Sequence, residues 1–260
     1  MPTKMKKTSF KEIKEKMIGA DSYLIFSVGD SITEGQRATC ADNTYTAVFA
    51  KLLCKKLPTK KVVRYDGKRH KHPESELMPI ATYGEPITLN DGTDGCVTVV
   101  RSGIGGNTVR RLLNRKDDFV GKEIDGRLAD LFIISVGIND SIQSNPAKYI
   151  APEGYKKDLE ELLCHIETYN KDADVIFMTP TWYDHGDSKQ SVLDAYAEQM
   201  KLLAQERGIP VIDMHRMWLD HLTLGGENYG QGDWLVCDRC HPGDVGHAAM
   251  AEKMISCIFE

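Results

Sequence analysis

Four short patches, far apart in the chain, hold residue types able to attack an ester. Gly29-Asp30-Ser31-Ile32-Thr33-Glu34-Gly35 offers a hydroxyl nucleophile. Gly103-Ile104-Gly105-Gly106-Asn107-Thr108 and Gly137-Ile138-Asn139-Asp140 offer a backbone N–H and a side-chain amide for a developing oxyanion. Asp238-Arg239-Cys240-His241-Pro242 offers an Asp/His pair on one turn. A serine hydroxyl at its ordinary pKa is a poor nucleophile, so a base must take its proton. Donors aimed in advance at the forming oxygen anion lower the barrier by about 3 kcal/mol each.

Each patch alone has a plainer alternative. Asp30-Ser31 and Asn139-Asp140 suit helix caps. Residues 103–106 suit a tight strand-to-helix turn and lack the spacing of a dinucleotide fingerprint. Asp238 to Pro242 suits a surface turn before a helix. Thr33, two residues past Ser31, rules out the G-x-S-x-G elbow. Cys237-Asp238-Arg239-Cys240-His241 also spells a haem-attachment pattern and half of a zinc site. The haem reading lacks an export signal, and the zinc reading lacks a second ligand pair at matched spacing. A dithiol of Cys237 and Cys240 acting as a redox brake is a further reading.

The elements that must position these groups alternate between strand and helix. Tyr23 to Val28 is a short apolar run ending in Gly-Asp, which predicts a buried strand. Further strands are predicted near 61–66 and over 96–100, 131–136, 174–178 and 209–212. Tyr45, Val48, Phe49, Leu52 and Leu53 form one face of a helix over 44–56, with Asn43 as its N-cap. Helices are also expected near 107–114, over 152–170 with Leu159, Leu162, Leu163 and Ile166 inward, and over 191–208 with Leu193, Tyr196, Ala197, Met200 and Leu203 inward. The last helix, after Asp244, carries Val245, Ala248, Ala249, Met254 and Ile255 at helical spacing. Residues 60–96 are broken by Pro73, Pro79, Gly84, Pro86 and Asn90-Asp91-Gly92, and read as a strand plus an irregular insertion, with a hairpin as an option within it. Alternating strands and helices predict a mostly parallel sheet covered on both faces. Sites in such sheets form at the carboxyl ends of strands. Three of the four patches sit just after a predicted strand.

The 260 residues, 41% hydrophobic, suit one domain over 1–260, with 1–20 as an N-terminal extension. A net charge of -5 argues against a general nucleic-acid binder. The basic stretch from Lys55 to His72 reads as a solvated surface segment, or as an anion-attracting rim. The lysine-rich start lacks an apolar core, so it is not a secretory signal. The longest apolar runs are too short to cross a membrane. Seven scattered cysteines fit free thiols and a cytoplasmic protein.

In this order, the four patches resemble the SGNH, or GDSL, hydrolases, from about Tyr23 to the C-terminus. The resemblance implies a three-layer α/β/α, flavodoxin-like fold with a five-stranded, mostly parallel sheet. It implies Ser31 as nucleophile, His241 as base and Asp238 as the group that orients the histidine. It also implies an oxyanion hole from the Ser31 N–H, the Gly106 N–H and the Asn139 amide. No cofactor or metal is required. Arg101 stands where the family often has Asn, which bears on how the second loop is pinned.

The family acts on many carboxylic esters. The absence of a lid-like apolar helix points to a small-molecule, short-acyl substrate, with an acetylated carbohydrate as first choice. Lysophospholipase or thioesterase chemistry, or a catalytically silent binding module, are the alternatives. Trp182, Tyr183 and His185, in the loop after the 174–178 strand, and Asp30 are the candidate substrate contacts. Oligomeric state has no sequence signature.

Overall fold

The computed structural model describes residues 7–69, 81–182, 190–223, 234 and 240–260. Its strands are β1 (Ser22–Gly29), β2 (Lys61–Arg69), β3 (Ala81–Tyr83), β4 (Ile87–Asp91), β5 (Cys96–Gly103), β6 (Leu131–Ser135), β7 (Asp174–Met178) and β8 (Val211–Ile212). Its helices are α1 (Phe10–Gly19), α2 (Ser31–Glu34), α3 (Tyr45–Lys56), α4 (Val109–Asn114), α5 (Pro152–Tyr169), α6 (Gln190–Arg207), α7 (Met214–Thr223) and α8 (Asp244–Phe259).

All eight strands join one sheet in the order β3-β2-β5-β1-β6-β7-β8, with β4 also on β2. Neighbours from β2 through β8 along that order run parallel. This is the expected mostly parallel α/β frame, but the expected count of five strands is corrected to eight. The excess comes from the 60–96 stretch. There β4 pairs antiparallel with Lys61 to Arg64 and β3 with Gly67 to Arg69, so both extend the same edge of β2. Strand β4 has no buried residue, so it carries no hydrophobic alternation for a sequence reading to catch.

Alternate residues of the central strands fill two cores. Tyr23 and Ile25 face a cluster with Ile13 and Met17 of α1, Phe49 and Leu53 of α3, Trp218 of α7 and Met254 of α8. Leu24, Phe26 and Val28 face Leu112 of α4, Leu159 and Ile166 of α5, and Met200 and Leu203 of α6. A strand buried on both faces reads as a continuous apolar run, which is what β1 and β6 show.

The inward faces predicted for α5 and α6 are buried as expected. The face predicted for α8 is buried at Met254 and Ile255 but not at its start. Val245 is 43% exposed, while His247, Met250, Ala251, Met254 and Ile258 are buried. The α8 sequence is small and apolar on several sides, so its periodicity did not determine the phase. The cap of α3 is Thr44, whose Oγ1 accepts the Ala47 N–H at 3.3 Å, and not Asn43. No described helix is long and apolar enough to cross a membrane.

Phe132 of β6 is fully buried and meets Phe26 and Phe119 at centroid distances of 6.0 and 6.3 Å. Phe132→Ala is expected to lower unfolding stability by about 3–5 kcal/mol in urea denaturation. A loss under about 1 kcal/mol would contradict this core assignment.

Candidate active site

The sheet register aligns the loops that carry the site. Gly29 lies opposite Gly103 on one side and Ser135 on the other. The connections after β1, β5 and β6 therefore leave the sheet side by side at the carboxyl edge.

The first connection turns at once into α2. Asp30 is its N-cap, and the carboxylate accepts the Ile32 N–H at 2.9 Å. Helix α2 lies across the end of β5 at close range. A β-carbon on Gly103 would come within 2.0 Å of the Glu34 nitrogen, so only glycine permits this crossing. Glu34 Oε2 in turn accepts the Gly105 N–H at 2.7 Å, which ties the second loop to the first. Arg101 donates to the Glu34 carbonyl and sits 3.4 Å from Asp66. The residue that departs from the family pattern thus pins the turn bearing Ser31 from the neighbouring strand.

Arg115 binds the same region from below. Its buried guanidinium donates to Asn107 Oδ1 at 2.6 Å, to the Ser102 carbonyl at 2.7 Å and to the Gly29 carbonyl at 3.3 Å. One planar donor group therefore joins the ends of β1 and β5 to the Gly106 loop.

Asn139 opens the third connection on a short 3-10 turn. Its Nδ2 donates to the Asn107 carbonyl at 3.1 Å, and its Oδ1 accepts from Lys148 Nζ at 3.1 Å. These two bonds fix which way the amide points. They leave the second N–H of the amide uncommitted among the described residues. Asp140 beside it accepts the Val109 N–H at the start of α4 at 2.9 Å, next to the Thr108 cap. Burial pushes the Asp140 carboxyl up to about 8, against the pull of its backbone donors. Asp30 is pushed up to about 6, again by burial. The Ile32 N–H and the nearby His241 and Lys148 oppose that shift.

His241 arrives from the far end of the chain. Its Nε2 is 2.8 Å from Ser31 Oγ, a hydrogen bond in which the hydroxyl donates when Nε2 carries no proton. Helix α8 holds this approach. Asp244, at its start, accepts from the Thr39 N–H at 2.9 Å and from Asn43 Nδ2 at 2.8 Å. One turn on, the buried His247 stacks on Tyr45, and its Nδ1 accepts the Tyr45 N–H at 3.3 Å. Burial holds the His247 imidazole down at about 4, so it stays neutral. The Tyr45 hydroxyl is hydrogen-bonded to Thr33 at 2.8 Å and to Ser27 at 2.9 Å. A chain of contacts from α8 through α3 thus reaches α2.

Of the candidate residues, Ser31 and His241 are in direct contact, and Gly106 and Asn139 stand on the adjoining loops. Asp30 is buried at the cap, and Trp182 is half-buried against the core cluster that includes Trp218. Asp238, Tyr183 and His185 lie outside the described residues, as does Cys237. Cys240 is half-buried against the same core cluster. No group of three potential metal ligands occurs among the described residues. The sequence reading missed Arg115 and Lys148, because their partners come from other strands and no local spacing announces them. The carboxylate of Glu34 lay inside a quoted patch, but its target was another loop.

The sequence model of the GDSL-like lipase/acylhydrolase family matches residues 88–249, more than half of the chain. The chain belongs to this family. It is a carboxylic ester hydrolase. Solved structures with the same fold include a lipase/acylhydrolase from Enterococcus faecalis, 17% identical with a TM-score of 0.61, covering 90% of this chain and 94% of that one. The acetyl xylan esterase AlAXEase is 21% identical with a TM-score of 0.62, over 91% of this chain and 100% of its own. A variant of an acetyl xylan esterase from Geobacillus stearothermophilus is 22% identical with a TM-score of 0.62, over 91% and 94%. No curated protein matches the chain.

In this GDSL-family chain the raised Asp140 carboxyl has a consequence for stability. The folded protein holds that proton more tightly than the unfolded chain, whose value is near 3.8. The stabilisation is complete below about 4 and is lost as pH rises through about 8. Asp140→Asn keeps the acceptor for Val109 and removes this titration. The variant is expected to gain on the wild type by about 1 kcal/mol or more between pH 4 and pH 9, read from urea midpoints. Parallel pH profiles for the two proteins would refute it.

Proposed function

We propose that this esterase works through a Ser31–His241–Asp238 triad. The observation that carries this reading is the 2.8 Å contact between Ser31 Oγ and His241 Nε2, across 210 positions of sequence. His241 takes the proton as Ser31 attacks the ester carbonyl, and returns it to the departing alcohol. Water then repeats the cycle on the acyl-enzyme. Asp238 is assigned to hold the other ring nitrogen, as the family resemblance implies.

The oxyanion hole is assigned to the Ser31 N–H, the Gly106 N–H and the second N–H of Asn139. The bonds from Asn139 to Asn107 and Lys148 support this, because they hold the amide with its nitrogen as the donor. For substrate we favour a short acyl ester, foremost an acetyl ester of a carbohydrate. The acetyl xylan esterases of like fold support the choice. Trp182, with Tyr183 and His185, is assigned to the wall of the alcohol site, and Asp30 to its floor. We take residues 1–260 as one domain, since two cores line the faces of one sheet. Cys40, Cys54, Cys96, Cys164 and Cys257 are free thiols, which suits a reducing cytoplasm.

Ser31→Ala and His241→Ala are each expected to lower kcat/KM on p-nitrophenyl acetate by about 1000-fold or more. Ser31→Ala should also abolish labelling by a fluorophosphonate probe; labelling that persists would remove Ser31 as nucleophile. Asn139→Ala is expected to lower kcat by about 100-fold with a smaller change in KM. An unchanged kcat would take Asn139 out of the oxyanion hole.

A further inference from the structure

Two cations converge beside the Gly106 loop. Arg111, on α4, donates from Nη1 to the Gly106 carbonyl at 3.0 Å. Lys148 comes from the segment after Asn139 and donates to that amide at 3.1 Å. Gly106, at a φ of +80°, leaves open the volume a β-carbon would fill. That point lies 3.4 Å from Arg111 Nη1 and 3.6 Å from Lys148 Nζ, with no other described atom beyond the adjoining residues within 4 Å. Both cationic nitrogens therefore stand over the α-carbon of Gly106, near enough to each other for the two oxygens of one carboxylate to reach one cation each.

Among the described residues, neither cation forms an ion pair with a carboxylate. Asp30, Asp140 and Cys240 act on Lys148 through space, while burial and Arg111 push its ammonium down. Asp140, at about 8, is mostly protonated at neutral pH and contributes little negative charge. Asp30, buried and pushed up to about 6, is left as the carboxylate acting on Lys148. Like charges held together cost stability unless an anion joins them. The chain as a whole is acidic, with a net charge of -5, so this local excess of positive charge is not a sample of the average surface.

We propose that Arg111 and Lys148 form an anion subsite beside the oxyanion loop, and that the substrate is an ester carrying a carboxylate. The inference rests on the esterase reading above. An acetyl-sized acyl group has no room for a charge, so the carboxylate belongs to the alcohol part, as in an acetylated acidic sugar. The planar guanidinium and the ammonium together suit a carboxylate with one oxygen for each.

Steady-state kinetics on 4-acetoxybenzoate and 4-acetoxybenzamide test this, because the two acetyl esters differ in charge and little else. At low salt, kcat/KM is expected to be about tenfold or more higher for the carboxylate, and the preference should shrink in about 0.5 M NaCl. Lys148→Gln and Arg111→Gln should each cut the carboxylate-to-amide ratio by about threefold or more, while Lys148→Arg keeps it. The ratio reads recognition of charge even where a variant slows both reactions through Asn139 or Gly106. Equal kcat/KM for the two esters in the wild type, or a preference that both Gln variants retain, would overturn the subsite while leaving the esterase intact. Turnover of neither ester would strike the esterase reading itself, and this inference with it.

Discussion

The parallel register of β5, β1 and β6 is the constraint on which the site depends. Gly29, Gly103 and Ser135 are held level by main-chain hydrogen bonds, so their following loops start at one height. A slip of one residue would send every side chain of the strand to the opposite face. The apolar residues that fill the two cores therefore also lock the loops in place. Packing and site geometry are one constraint here: Ile25 and Phe26 cannot sit in their cores unless Ser31 emerges beside Gly106 and Asn139.

Buried charge fastens the loops to one another. Arg115, Glu34 and Arg101 tie the end of β1 and the turn after it to β5 and its following loop, and Lys148 fixes the Asn139 amide within its own connection. Burying a charged group is costly unless its hydrogen bonds are met, and the buried Arg115 guanidinium finds several partners. The resulting mesh makes the loops behave as extensions of the sheet. Such rigidity is what donors aimed at a transient oxyanion require, since a misplaced N–H stabilises nothing.

Helix α8 brings the last component. It packs against α3 and the sheet through Met250, Met254 and Ile258, and its first turn grips Thr39 and Asn43. The imidazole of His241 is thereby delivered to Ser31 from the opposite end of the chain. The family match begins at residue 88 and so omits Ser31. The contact between Ser31 and His241 joins the first strand to that matched frame, and it makes the N-terminal part of the chain integral to the proposed chemistry.

The α/β frame, the inward faces of α5 and α6, and the loops bearing Ser31, Gly106, Asn139 and His241 were all legible in the order of residues. Short apolar runs closed by glycine, and helices with a marked apolar stripe, carry their structure locally. A hairpin in the 60–96 stretch was legible as an option, but the positions of β3 and β4 were not, because an exposed edge strand is specified by hydrogen bonds to its neighbour and not by hydrophobic alternation. The phase of α8 escaped because its apolar residues occur on more than one side. Arg115 and Lys148 escaped because a surface-type residue becomes part of a site only through partners distant in sequence. Residue types and spacing, with the family resemblance they carry, pointed to ester chemistry and to the loops now proposed to hold it. Only tertiary structure decided that the serine and histidine meet, and that two cations share the space beside Gly106, since distances between remote segments arise from packing and leave no trace in local pattern.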